Sequence, residues 1–141
     1  MIAPDATTPF RHTLRVYWED TDAGGVVFYA NYLKFFERAR TEWLRGLGFG
    51  QERLRTDTGA IFVVADTSVR YLSPARLDDL IEVTVLPVDP GRVSMTLQQQ
   101  AWRHGAVPPQ LLAEGSIRIG CVDAGTFTPR RIPTGILEKL R

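Results

Sequence analysis

Cysteine is almost absent from this chain, and so are long apolar runs. Cys121 is the single cysteine in 141 residues, so no disulfide can form within one chain, and a reducing compartment such as the cytoplasm is predicted. The first ten residues, MIAPDATTPF, contain neither the basic nor the apolar segment of a secretory signal. Every apolar run is shorter than the roughly 20 residues that cross a membrane as a helix. These absences predict a cytoplasmic protein without a membrane span.

An excess of one charge is also missing, and so are the residues of common metal sites. The formal net charge is +1, without a long run of one sign, which argues against nucleic acid as a partner. His12 and His104 are the only histidines and lie far apart in sequence, so a zinc site is not favoured. An EF-hand loop begun at Asp20 would place Asn31 where a bidentate glutamate is needed. We therefore predict no metal and no cofactor.

What the chain does contain is a series of periodic apolar segments. Alternation over residues 12–18 predicts a first strand. Apolar residues at spacings of three and four then predict an amphipathic helix of about 16 residues, with a wide aromatic face that Leu33 extends. Asn31 is the predicted N-cap, and Gly46 or Gly48 the predicted stop. Four further strands are predicted over 60–72, 80–88, 92–102 and 111–123, and a short helix after residue 133.

This order of elements defines a fold class. A strand, a long helix and four strands joined mostly by short turns predict an α+β fold, in which a five-stranded antiparallel sheet wraps around one central helix. Residues 1–9 are predicted to be a flexible tail and residues 10–141 a single domain. Such a sheet leaves strand edges open, and pairing of edges between subunits predicts a homo-oligomer.

The segment WEDTDAGGVVFYANY, residues 18–32, concentrates acids directly before the predicted helix. A helix start has unpaired N–H groups and a partial positive charge, so it can stabilise the oxyanion that forms on an attacked carbonyl. Gly24 and Gly25 would allow a tight turn and a close approach of substrate. Asp22 could then attack a polarised carbonyl or activate water. An equally weighted alternative is that Asp22 caps the helix or holds the loop.

The segment VYWEDTDAGGVVFYANYLKFFERARTEWLRGLG closely resembles the YbgC-type acyl-CoA thioesterases of the hotdog fold, which are relatives of bacterial 4-hydroxybenzoyl-CoA thioesterase. The similarity continues through VRYLSPARLDDLIEVTV, GRVSMTLQQQ, AEGSIRIGCVD and TPRRIP, and covers residues 10 to 140. The resemblance implies a sheet curled around the long helix and a dimer whose two sheets join into one. It also implies a thioester substrate at the subunit interface, and dimers that often pair into tetramers.

The resemblance further implies roles for individual residues. Asp22 matches the catalytic second acid of the D-x-D pair, and the backbone N–H of Tyr29 matches the oxyanion donor. Asn31 belongs to the family's N-Y pair; it is a candidate substrate contact, although capping and packing are the preferred role. Arg92 resembles a contact to the phosphates of CoA, with a solvated turn arginine as the equal alternative. YbgC-type sequences usually have histidine where Tyr29 stands, whereas the 4-hydroxybenzoyl-CoA branch has tyrosine.

The predicted activity is hydrolysis of short-chain aliphatic or aromatic acyl-CoA to a carboxylic acid and CoA. One alternative is a hotdog dehydratase acting on acyl-carrier-protein thioesters, which would carry a catalytic histidine near the helix start; this chain has none there. Another is a non-catalytic partner of the cell-envelope Tol–Pal system or of phospholipid-synthesis enzymes, because some YbgC-type proteins are linked to them.

Overall fold

The computed structural model describes residues 8–140, so residues 1–7 of the predicted N-terminal tail lie outside the described residues. Its strands and helices are β1 (Phe10–Arg15), α1 (Asn31–Gly46), α2 (Gln51–Thr58), β2 (Ala60–Tyr71), β3 (Leu80–Val88), β4 (Ser94–Arg103), β5 (Gln110–Asp123) and α3 (Thr134–Lys139). A short 3₁₀ turn, Trp18–Asp20, follows β1. No helix within residues 8–140 is long and apolar enough to cross a membrane.

The five strands form one sheet in the order β1-β3-β4-β5-β2, and every neighbouring pair is antiparallel. Strands β1 and β2 are therefore the two edges. Strand β2 pairs with β5 along its whole length, with one irregularity in register between Val64 and Asp66. The predicted α+β class and the five-stranded antiparallel sheet are confirmed.

Helix α1 buries its aromatic face against this sheet. Its buried apolar residues are Tyr32, Phe35, Phe36, Ala39, Trp43 and Leu44. They share one core with the inward residues of the strands, among them Ile81, Val83, Val85, Met95 and Leu97. Leu33 was expected to widen this face, and that expectation is wrong: it is 45% exposed. Residues four apart share a helix face, and Leu33 lies on the same outer side as exposed Glu37.

The two ends of α1 differ in how well they follow the prediction. The N-cap is Ala30, not Asn31, and no side chain caps this end; Asn31 is the first helical residue. At the other end the helix stops at Gly46, and Gly48 has a φ of 100°. The N–H of Gly48 donates to the Arg45 carbonyl at 3.0 Å, and the next N–H, of Phe49, donates to the Leu44 carbonyl at 2.9 Å. This is the Schellman arrangement, so the predicted glycine stop is confirmed.

Two further segments depart from the predicted elements. Strand β1 ends at Arg15, three residues before the predicted end, and Trp18 is 80% exposed in the 3₁₀ turn. The turn forms because the Asp20 carboxylate accepts the Tyr17 N–H at 2.7 Å, and such local bonds compete with strand pairing. Helix α2 was not predicted; it buries only Leu54, so its sequence carries no apolar period.

We expect Phe36→Ala to lower the free energy of unfolding by about 3–5 kcal/mol, because it opens a cavity under α1. Phe36 is 0% exposed, whereas Leu33, in the same helix, is 45% exposed. Leu33→Ala is the matched control and should change stability by only about 0.5 kcal/mol. Urea unfolding of both variants measures the difference, and equal losses would contradict the described packing.

Candidate functional site

The loop before α1 is a narrow turn closed by backbone hydrogen bonds. Thr21 and Val27 form an isolated antiparallel bridge, and the Asp22 N–H donates to the Val26 carbonyl at 2.9 Å. The Gly25 N–H donates back to the Asp22 carbonyl at 3.0 Å. Gly25 has a φ of 78°, in the left-handed region that favours glycine, so the turn depends on this residue. These hydrogen bonds therefore fix the backbone of Asp22 in the turn that precedes α1.

The Asp22 carboxylate projects from this loop and is exposed. Its Oδ1 accepts the Gly24 N–H at 2.8 Å, so the side chain does hold the loop, as one sequence alternative proposed. It does not cap α1. Within residues 8–140, Oδ2 has no hydrogen-bond partner and the carboxylate joins no salt bridge. One carboxylate oxygen is thus fixed by the loop and the other is open.

The helix start carries an open backbone donor at Tyr29. No group within residues 8–140 accepts a hydrogen bond from the Tyr29 N–H. The carbonyl of the same peptide unit, that of Phe28, accepts the Asn31 N–H at 2.8 Å, which further polarises this donor. The Tyr29 carbonyl accepts the Tyr71 hydroxyl at 2.9 Å, which ties the helix start to the end of β2. An unpaired N–H at the positive end of a 16-residue helix is suited to an anion.

Asn31 and Asp20, which flank this donor in sequence, are both buried, with exposures of 7% and 3%. The Asn31 side-chain amide donates to Asp20 Oδ1 at 2.6 Å. Asn31 therefore does not cap the helix; its amide nitrogen bonds across the loop instead. A direct contact of Asn31 with substrate stays a prediction.

A cavity of about 300 Å³ opens beside the helix start. It is lined by Val26, Val27, Tyr29, Tyr32, Tyr71, Leu72, Ser73 and Pro74. The Tyr71 ring meets the Tyr32 ring edge-on at 5.6 Å and the Tyr29 ring at 6.1 Å. Burial raises the pKa of the Tyr71 phenol, and the Tyr29 phenol raises it further, so at neutral pH the hydroxyl keeps its proton and remains a donor. Asp22 is not among the lining residues, so in the single chain the carboxylate and the aromatic cavity are separate.

Arg92 lies elsewhere, in a basic cavity of about 440 Å³ next to α3. Its lining residues are Thr58, Arg92, Arg130, Arg131, Ile132, Pro133, Thr134, Gly135 and Leu137. Arg130 is oriented by an ion pair with Asp123 at 3.1 Å. Backbone N–H groups of Thr126 and Gly125 lower the pKa of the Asp123 carboxyl, so this partner is anionic at neutral pH. Three arginines in one cavity form a surface suited to phosphate.

Asp22 and Tyr29 thus lie on the same segment leading into α1, whereas Arg92 lies in a separate cavity. Sequence reasoning singled out neither Arg130 nor Arg131, although the doublet in TPRRIP was a visible signal. It also missed the function of Asp20 in the loop, because its partner lies 11 residues further on and no local spacing marks the pair.

Comparison with known proteins finds a family and several relatives that resemble this chain. The model of the family described as "Thioesterase superfamily" matches residues 24–107. The chain is 42% identical over 135 residues to an acyl-CoA thioester hydrolase YbgC of Escherichia coli O6:H1, covering 96% of this chain and 98% of the relative. It is 40% identical to an acyl-CoA thioesterase YbgC of Haemophilus influenzae, covering 88% of each. The crystal structure of a probable thioesterase from Bartonella henselae superposes with a TM-score of 0.83 at 29% identity, covering 89% of this chain and all of that one.

Gly25→Ala should destabilise the protein by about 1–2 kcal/mol, because an L side chain disfavours a φ of 78°. A Cβ at Gly25 would meet no atom within 4 Å, so the change isolates the backbone effect. Gly120→Ala is the control, since it also meets no atom but lacks a positive φ. Thermal unfolding compares the two, and an unchanged Gly25→Ala variant would argue against the described turn.

Proposed function

We propose, since this chain belongs to the thioesterase superfamily, that it hydrolyses acyl-CoA thioesters to a carboxylic acid and free CoA. The observation that carries the proposal is the open Tyr29 N–H at the start of α1, on the same loop and helix start as a carboxylate with one free oxygen. A polarising donor and a carboxylate are the two groups that thioester hydrolysis needs, and no metal is required.

The Tyr29 N–H is proposed to bind the carbonyl oxygen of the thioester as it becomes an oxyanion. The hydrogen bond to the Phe28 carbonyl and the dipole of α1 both strengthen this donor. Because the donor is a backbone group, it does not depend on the side chain at this position. The tyrosine that replaces the usual YbgC-type histidine is therefore compatible with the reaction.

Asp22 is proposed to supply the electron pair, in one of two ways. As a nucleophile, its free oxygen attacks the thioester carbon and releases CoA thiolate, and water then hydrolyses the resulting mixed anhydride. As a general base, it takes a proton from the water that attacks the same carbon. Either route yields the acid and the thiol, and the bond to Gly24 fixes the carboxylate orientation in both.

A second copy of the chain is proposed to complete the site. Strand β2 is a 12-residue edge of the sheet, and Val64 on it is 51% exposed. Near the candidate site, Trp18 is 80% and Tyr29 63% exposed, which is unusual for large apolar side chains. Pairing of β2 edges would cover an open edge and bring a second subunit to this surface. A homodimer, or a homotetramer of two dimers, would then bind its substrate between subunits and join the carboxylate to an apolar pocket.

Arg92 is proposed to bind the phosphates of CoA together with Arg130 and Arg131. Guanidinium groups form paired, charged hydrogen bonds with phosphate oxygens, and the three line one cavity. For the acyl group, the aromatic cavity of about 300 Å³ favours short aliphatic chains or a single aromatic ring. Tyr32 and Tyr71 would form its walls.

Asp22→Asn should lower kcat for acetyl-CoA or benzoyl-CoA hydrolysis by at least about 10²–10⁴-fold, because an amide can neither attack nor accept a proton efficiently. Glu19→Gln, a neighbouring exposed acid in the same segment, is the matched control and should keep near-normal turnover. Release of free thiol measures both, with thermal unfolding as the check on folding. Turnover near the wild-type rate in Asp22→Asn would refute the assignment.

Arg92→Ala should raise KM for acyl-CoA by about 10-fold, because a charged hydrogen bond to phosphate is lost. KM for an S-acyl-N-acetylcysteamine substrate, which has no nucleotide, should not change. Arg53→Ala is the control, since that arginine is exposed on α2. An equal rise in KM for both substrates would argue against a phosphate contact.

A further inference from the structure

Asp20 is a buried carboxylate at the centre of the loop that carries Asp22. It is 3% exposed, and both of its side-chain oxygens are occupied. Oδ1 accepts the Asn31 side-chain amide at 2.6 Å, and Oδ2 accepts the Tyr17 backbone N–H at 2.7 Å. Its backbone carbonyl accepts the Phe28 N–H at 2.9 Å. One residue therefore joins the entry of the loop, its exit and the first residue of α1.

Burial of this carboxylate needs a reason, because a charge without a cationic partner is costly to remove from water. Within residues 8–140, no lysine, arginine or histidine forms a salt bridge with Asp20. Two neutral N–H donors satisfy it instead. A charged acceptor makes shorter and stronger hydrogen bonds than a neutral one. The buried Asp20 carboxylate therefore holds the loop in one conformation.

The three bonds surround the two groups of the proposed reaction. The Tyr29 N–H lies between Phe28 and Asn31, both of which are bonded to Asp20. Asp22 lies two residues after Asp20 in the same closed loop. Because both groups lie on segments that are bonded to Asp20, Asp20 fixes the distance between the Tyr29 N–H and the Asp22 carboxylate. Misplacement of a reacting group by about 1 Å can cost on the order of 10²-fold in rate.

We propose that Asp20 and Asn31 form a positioning pair, which fixes the Tyr29 N–H relative to the Asp22 carboxylate without touching the substrate. This inference rests on the proposed function. It gives Asn31 a task different from a direct substrate contact, because its amide nitrogen donates to Asp20. The pair acts on the geometry of the transition state, so its loss should change kcat more than KM.

The test exchanges the two side chains. In Asp20→Asn, the new amide has one oxygen for two N–H donors, so a bond to Asn31 survives only after the Asn31 amide turns over, and the negative charge that strengthened both bonds is lost. In Asn31→Asp, two carboxylates face each other without a donor between them. In the double variant D20N/N31D, the amide oxygen at position 20 accepts the Tyr17 N–H, and its NH₂ group donates to the carboxylate at position 31. The exchange thus restores both bonds, with the donor and acceptor of the bond between positions 20 and 31 reversed.

We expect each single variant to lower kcat by about 10- to 100-fold with KM changed by less than about threefold, and the double variant to recover most of the loss. Rates are divided by the folded fraction from unfolding curves. Glu19→Gln again serves as a control. Single variants with wild-type kcat, or a double variant no faster than the slower single variant, would overturn the proposal. If Asp20→Asn does not fold, Asn31→Ser removes the amide without adding charge and takes its place.

A second measurement does not depend on activity. The amide proton resonance of Tyr29, observed by NMR without substrate, should shift in each single variant and return in the double variant. If the wild-type protein hydrolyses no thioester, the proposed function fails, yet this resonance still tests the positioning pair. An unmoved Tyr29 amide in both single variants would contradict the pair even in an active enzyme.

Discussion

Burial of one helix face against the sheet is the interaction on which the rest of the molecule depends. A helix of 16 residues is only marginally stable alone in water, so α1 owes its position to the aromatic side chains that it packs on the strands. This packing fixes where the helix begins. The open donor at that end is therefore held by the core, and a site built on a packed element is more exact than one held by a free loop.

The same sheet supports the proposal that a second copy of the chain completes the site. Its order leaves β1 and β2 as edges, and β2 is long and flanked by exposed apolar side chains. The Asp22 carboxylate is open, yet it does not line the aromatic cavity beside the helix start. The proposed second copy, laid along β2, would cover the open edge and join the two parts of the site. Assembly and chemistry would then be consequences of the same strand order.

An element could be predicted from the sequence when the contacts that stabilise it leave a periodic pattern, and could not when they are set by the folded chain. Helix α1 and strands β2 to β5 were predictable because the apolar residues of a buried face recur in the sequence with the period of the helix or strand. Helix α2 was not, since Leu54 alone is buried and gives no period. The early end of β1 and the position of Asn31 both depend on Asp20, whose partners are set by the folded loop. The acidic loop itself pointed to Asp22 but left its role open, whereas the predicted role of Tyr29 came only from a family resemblance.

The two aspartates of the D-x-D pair, Asp20 and Asp22, have identical side chains but different hydrogen-bond partners in the fold. Residues two apart in a turn face different surroundings: Asp20 points under the loop and Asp22 points out of it. Asp20 has both oxygens engaged, so it can hold neighbouring groups but cannot attack. Asp22 has one oxygen engaged by Gly24, which orients the carboxylate and leaves the other oxygen available. Hydrogen-bond occupancy, more than residue type, therefore separates the proposed anchoring acid from the proposed catalytic one.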